Sequence, residues 1–287
     1  MAQLSIWVAA LSDVGRVRKN NEDAFTITDL ATGRRLEGEE GPWRLFVGAR
    51  GLLMALSDGM GGHEAGEVAS ALVLDALRAG LSADAGGDHE QAIAAAVVRA
   101  NDEVTRTAQA TGKHGMGATL TAVQIVGRDA MIGQVGDSRA YVLRAGQLRQ
   151  LTRDQSLVQL LVDQGTLSPE TARQSSHKNV LLQAIGTSPE VKGAISRLKL
   201  RSGDRFLLCC DGLSNAVGDT ELRDLVADSD PDVACRKLID LANLRGGGDN
   251  LTAIVACVEG GELEEPAPSE TFADTFEVLR DFSPSLR

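Results

Sequence analysis

Apolar residues in this chain fall into two kinds of run. In the first kind nearly every position is apolar: Leu53-Met54-Ala55-Leu56, Phe206-Leu207-Leu208-Cys209-Cys210 and Leu251 to Val258. A short run of this kind, bounded by turn residues, reads as a strand with both faces covered. In the second kind apolar and polar positions alternate, as at Trp43, Leu45 and Val47 and again at Val123 and Ile125. Strands are expected at 4–12, 24–28, 51–57, 194–200, 205–210 and 250–258. A meander of short strands is expected over 117–151, turning at Ala145-Gly146, and an extra hairpin within the polar interval 29–50. Spacing near 3.6 residues predicts helices over 64–81, 90–109, 219–227 and 231–244, with a helical and loop-like stretch at 155–185.

Strands and helices arrive in blocks, not in strict alternation. That favours an α+β protein with antiparallel sheets covered by helices. Periodicity alone does not fix the number of layers. The 287 residues are enough to bury a core, and with 3% aromatic residues that core is aliphatic. A net charge of −11 argues against nucleic acid and anionic membrane as partners. No apolar stretch reaches the ~18 to 20 residues of a membrane span. The opening Met1-Ala2-Gln3-Leu4-Ser5 lacks the charged and apolar regions of a secretory leader. Cys209, Cys210, Cys235 and Cys257 have no metal-ligand spacing and read as reduced, buried thiols. The expectation is a cytoplasmic monomer.

Four aspartates stand at the ends of such runs, beside glycine: Asp58, Asp137, Asp211 and Asp249. Each alone reads as a turn residue. Together they place several carboxylates near the core, where like charges are costly unless a cation compensates. Oxygen-only ligands suit magnesium or manganese. A charge run, Arg16-Val17-Arg18-Lys19-Asn20-Asn21-Glu22-Asp23, precedes the strand at 24. Alone it reads as solvated surface; beside a cation, an arginine fork matches phosphate oxygens.

At this point the chain resembles the metal-dependent Ser/Thr protein phosphatases of the protein phosphatase 2C type, in their bacterial form. The resemblance rests on Val17 to Asp23, Ser57-Asp58-Gly59-Met60-Gly61-Gly62-His63, Gly115 to Leu120, Gly136-Asp137-Ser138-Arg139, Leu182 to Gly186, Cys210-Asp211-Gly212-Leu213 and Gly248 to Thr252, in the family's order. It implies an α/β/β/α sandwich of two antiparallel sheets flanked by helices. It also implies two tight Mn2+ or Mg2+ ions and a third, weaker one. Asp58 would bridge the tight pair, and the Gly59 carbonyl would bind one of them. Asp211 and Asp249 would hold the first metal, and Glu22 and Asp23 would support the second. Asp137 would share the weak site with Asp211. Arg18 would grip the substrate phosphate, and Asn250 would orient its neighbouring aspartate or the phosphate. The implied reaction is hydrolysis of phosphoserine or phosphothreonine by a metal-bridging hydroxide, opposing a Ser/Thr kinase. The alternatives are small phosphoesters as substrates, or a weakly active metal-containing binding module.

The chain departs from the family at several points. Met60 stands where animal members have histidine, leaving His63 as either leaving-group acid or plain loop residue. Asp154-Gln155-Ser156 replaces Asp-His-Ser, and Ser175-Ser176-His177-Lys178-Asn179 replaces His-Pro-x-Arg-Asn in the flap that touches substrates. Residues 1–258 read as the catalytic domain and 259–287 as an acidic linker with a short amphipathic tail. Phe272, Phe276 and Leu279 are spaced as a helical stripe there.

Overall fold

A computed structural model describes residues 3–36, 41–61, 65–83, 87–113 and 115–283. Two antiparallel sheets lie face to face. One sheet holds β1 (Ser5–Asp13), β3 (Trp43–Phe46), β8 (Arg139–Arg144), β9 (Gln147–Gln150), β11 (Arg205–Cys209) and β12 (Leu251–Glu259), in the order β3-β1-β12-β11-β8-β9. The other holds β2 (Asp23–Asp29), β4 (Leu52–Met60), β6 (Leu120–Val126), β7 (Asp129–Val135), β10 (Ala194–Lys199) and β13 (Phe276–Arg280), in the order β13-β10-β7-β6-β4-β2. The two-residue β5 (Gly117–Ala118) pairs with the end of β4.

The continuous apolar runs follow from this layering, because side chains alternate across each strand. On β4, Leu52, Met54 and Leu56 enter the core between the sheets, whereas Leu53 and Ala55 face helices. On β11, Phe206 and Leu208 point between the sheets and Leu207 and Cys209 away from them. Two long helices, α1 (Ala65–Ala83) and α2 (His89–Thr111), cover the outer face of the β4 sheet. α5 (Asp211–Ala216), α6 (Asp219–Ala227) and α7 (Pro231–Leu244) cover the other. Each fully buried Leu or Ile contributes about 1.5–3 kcal/mol. The four-layer α/β/β/α order is the one the resemblance implied.

The structure corrects three expectations. Within the interval 29–50, Trp43–Phe46 joins β1 at the rim of the first sheet and not a partner inside the interval, while the chain just after β2 folds back on it, with Leu36 N–H donating to Ile27 O at 2.9 Å and Thr28 bridging Arg35. The meander over 117–151 is split: β6 and β7 belong to one sheet, β8 and β9 to the other, and the chain crosses at Gly136-Asp137-Ser138. The tail is not a helix. After a 3-10 turn at Phe272–Asp274, capped by Thr271, residues Phe276–Arg280 pair with β10 as an edge strand. Phe276 packs into the core between the sheets and Leu279 against the helical layer. The preceding acidic segment is held as well. Glu270 accepts from Arg201 Nε at 3.0 Å, and Arg144 Nη1 donates to Thr275 at 2.7 Å.

Candidate metal centre

Antiparallel pairing brings every acidic turn to one end of the sandwich. Asp58 lies near the end of β4, and Asp23 opens β2 directly opposite it in register. Asp137 sits in the crossing between β7 and β8, Asp211 follows β11, and Asp249 precedes β12. Arg18, Glu22, Asp58, Gly59, Asp137, Asp211 and Asp249 all line one cleft of about 500 Å³. Asn179, Leu182 and Gln183 line the same cleft. They belong to residues 155–185, the flap, which contains α3 (Leu157–Asp163) and α4 (Pro169–Gln174).

The backbone around Asp58 is tightly fitted. Asp58 donates its N–H to Thr119 Oγ1 at 2.9 Å, and Thr119 returns its own N–H to the Asp58 carbonyl at 2.9 Å. Thr119 also meets Ser138 Oγ at 3.0 Å, which ties the Asp58 strand to the Asp137 turn. Gly59 has no room for a side chain. A Cβ there would lie 2.1 Å from the Gly66 carbonyl oxygen on α1 and 2.6 Å from that of Glu22. Gly136 has φ +102°, and a Cβ there would meet Thr119 Cγ2 at 2.7 Å. The glycines beside the acids therefore let helix and neighbouring strand approach the carboxylates.

The acids carry the electrostatic signature of a crowded anionic site. Burial, then the neighbouring carboxylates, push Asp58 well above the usual range. Asp137 is likewise raised well above it, first by burial and then by Asp211. Burial raises Asp23 to about 7 even though Thr252 hydrogen-bonds it. Asp211 is raised by burial and by Asp249, and a hydrogen bond from Asp58 partly counters this. Glu22 is raised chiefly by burial, with Arg18 pulling the other way.

Among the described residues, no three His, Cys, Asp or Glu side chains form a finished ion-binding cluster. The acids instead share one cleft while several are engaged by neighbours. Asp249 Oδ2 accepts from Arg18 Nη2 at 2.9 Å, and Asp23 Oδ2 accepts from Thr252 Oγ1 at 2.6 Å. The donor set nonetheless suits a hard cation. It is all oxygen, and Asp23 Oδ1 is buried with no hydrogen-bond partner.

The expected site residues therefore divide. Glu22, Asp58, Gly59, Asp137, Asp211, Asp249 and Arg18 meet in the cleft, with Asp23 immediately beside Asp58. His63 lies outside the described residues. Asn250 donates its backbone N–H to Oδ1 of the neighbouring Asp249 at 2.9 Å. The Asn250 side-chain Oδ1 accepts from Glu22 N–H at 2.9 Å, and its Nδ2 donates to the carbonyls of Val14 at 3.0 Å and Asn20 at 2.9 Å. Both amide ends are spent on shaping the loop that presents Arg18 and Glu22. Sequence reasoning gave no role to Thr119, Thr252 or Gln183. A threonine within Gly-Ala-Thr carries no chemistry of its own; the hydrogen bond to Asp58 needs two strands in register.

Two helical layers, two sheets and an all-oxygen acidic cleft at one end define a four-layer sandwich with a cation site. The chain belongs to the protein phosphatase 2C family, which residues 43–234 match. It is 32% identical over 262 residues to protein phosphatase PhpP of Streptococcus pneumoniae, covering 90% of this chain and 99% of that protein. It is 40% identical over 262 residues to serine/threonine protein phosphatase PstP of Mycobacterium tuberculosis. That match covers 91% of this chain but spans only about half, 46%, of PstP. The catalytic domain of PstP in complex with two manganese ions superposes with a TM-score of 0.75 at 37% identity, over 89% of this chain and 99% of that one. Stp1 of Staphylococcus aureus gives 0.77 at 32% identity, over 88% and 95%.

Proposed function

We propose that this protein is a manganese- or magnesium-dependent phosphatase acting on phosphoserine and phosphothreonine in proteins. The observation that carries the proposal is the convergence of Glu22, Asp58, Asp137, Asp211 and Asp249 with Arg18 on one cleft, in a chain of this family. Glu22, Asp23, Asp58, Asp211, Asp249 and the Gly59 carbonyl would hold two tight ions, and Asp137 with Asp211 a weaker third. Divalent cations bound there supply an acidified water and offset charge on phosphoryl oxygens. The chain's own residues do the positioning. Arg18 spends one N–H on Asp249 and keeps further donors of its planar fork for a phosphoryl oxygen. Asn250 fixes the loop that carries Arg18. Leu182 and Gln183 of the flap line the same cleft and would contact a peptide bound there.

Residues 1–258 act as the catalytic domain and residues 259–287 as its C-terminal appendage. The protein is a cytoplasmic monomer that opposes a Ser/Thr kinase on shared phosphoprotein targets. No helix among the described residues is long and apolar enough to cross a membrane. The test is hydrolysis of a phosphothreonine peptide with and without manganese. Turnover is expected only with the ion, and full activity after exhaustive chelation would overturn the reading.

A further inference from the structure

The crossing that carries Asp137 is clamped on every side. Gly136 O accepts from Gln155 N–H at 2.9 Å and from Gln134 Nε2 at 3.1 Å. Ser138 O accepts from Thr121 Oγ1 at 2.7 Å. The Gly136 N–H is taken by a side chain, Gln155 Oε1, at 2.7 Å. Gln155 is 3% exposed and stands where the family pattern has histidine.

The same Oε1 also accepts from Gln183 Nε2 at 2.9 Å. Which end of each amide points where follows from the partners. Lys192 pins Gln183: its carbonyl accepts from Nε2 at 2.7 Å, and its N–H donates to Oε1 at 3.2 Å. Gln183 therefore presents a donor to Gln155, and Gly136 N–H is a donor by nature. Two donors converge, so Gln155 must offer its oxygen. Its Nε2 is left buried without a hydrogen-bond partner. A buried amide that leaves one end unmet to serve two donors with the other is held by those donors.

Gln155 also accepts Leu182 N–H on its own carbonyl, at 2.8 Å. Leu182 and Gln183 line the same cleft as the acids. We propose that Gln155 is a positioning residue that locks the Asp137 turn to the cleft-lining segment of the flap, so that the carboxylate and that segment keep one spacing. This rests on the phosphatase reading above, with Asp137 at a weak cation site. Gln155 is not among the residues lining the cleft; it acts through Gly136 and Gln183.

The test uses the full chain carrying Gln155→Leu, a similar shape without the acceptor. Three readouts are taken: amide exchange at Gly136, manganese binding by calorimetry, and kcat and KM on a phosphothreonine peptide. Gly136 protection is expected to fall about tenfold or more, beyond any change in global stability. The two tight manganese ions should remain while the weakest binding event weakens several-fold. The rate should fall about tenfold. Asp137→Ala combined with Gln155→Leu should be no slower than Asp137→Ala alone, because both disable one element. Gln155→His, which keeps an acceptor, should recover part of the Gly136 protection and of the rate. Unchanged Gly136 protection and manganese binding in Gln155→Leu would overturn the proposal, as would losses that multiply in the double variant. A wild-type protein inert toward phosphopeptides with manganese would sink the phosphatase reading instead. Gly136 exchange would still decide whether Gln155 holds the turn.

Discussion

Replacing Asp23 by asparagine in the ion-free protein isolates the cost of the acidic cluster. The Asp23 carboxyl is raised from 3.8 to about 7, first by burial and then against the pull of Thr252, with Asp211 and Asp249 adding to the rise. The folded protein therefore holds this proton more tightly than the unfolded chain does. Stability from this group is complete below about pH 4, falls as pH rises to about 7, and then stays level. At pH 8 the group costs about 4 kcal/mol, and at pH 5 under about 2 kcal/mol. Asparagine cannot ionise and keeps an acceptor for Thr252 Oγ1. Any packing cost it brings is the same at both pH values and cancels in the comparison. Urea melts with chelator should show Asp23→Asn gaining about 2–3 kcal/mol more, relative to wild type, at pH 8 than at pH 5. Added manganese should stabilise wild type more than the variant, because binding neutralises charge that the variant lacks. A gain independent of pH would refute the argument, since it would show that burial and repulsion at Asp23 do not set the titration.

Arg18→Ala removes a charged donor worth about 1.5–3 kcal/mol, an upper bound for a half-exposed side chain. The expected loss in kcat/KM on a phosphopeptide is about tenfold, mostly in KM, and an unchanged value would assign Arg18 to the surface charge run. Gly59→Ala drives a methyl into the Gly66 and Glu22 carbonyls. It should destabilise by about 3 kcal/mol or more in denaturant melts, and a change below about 1 kcal/mol would mean that the α1 contact is loose. Deleting 268–287 strips β13 from the β10 edge and uncovers apolar surface beside Phe276. Thermal melts should fall by several degrees; an unshifted melting curve would show that the strand is not docked.

Much of the architecture was legible because burial on both faces leaves a local trace. The runs at 51–57, 205–210 and 250–258 could be strands only inside a layered fold, and the acids at their ends marked where charge meets core. The helical periods over 64–81, 90–109, 219–227 and 231–244 fell within a few residues of α1, α2, α6 and α7. Those signals are local, since each residue's surroundings are set by neighbours two to four positions away.

What only the tertiary structure decided depends on partners distant in the chain. Phe276 and Leu279 suit a helical stripe, yet three positions apart in a strand they face opposite ways. That serves two cores at once, the inter-sheet layer for Phe276 and the helical layer for Leu279. An open β10 edge offers the tail a ladder of backbone hydrogen bonds, which outweighs the marginal stability of a short helix. The split of the 117–151 meander, the pairing of Trp43–Phe46 with β1 and the loop held by Asn250 are likewise closed by residues far off in sequence. Local pattern encodes which faces are apolar. It does not encode which edge lies within reach, because hydrogen-bonding edges look alike in sequence and are told apart only when the chain has packed.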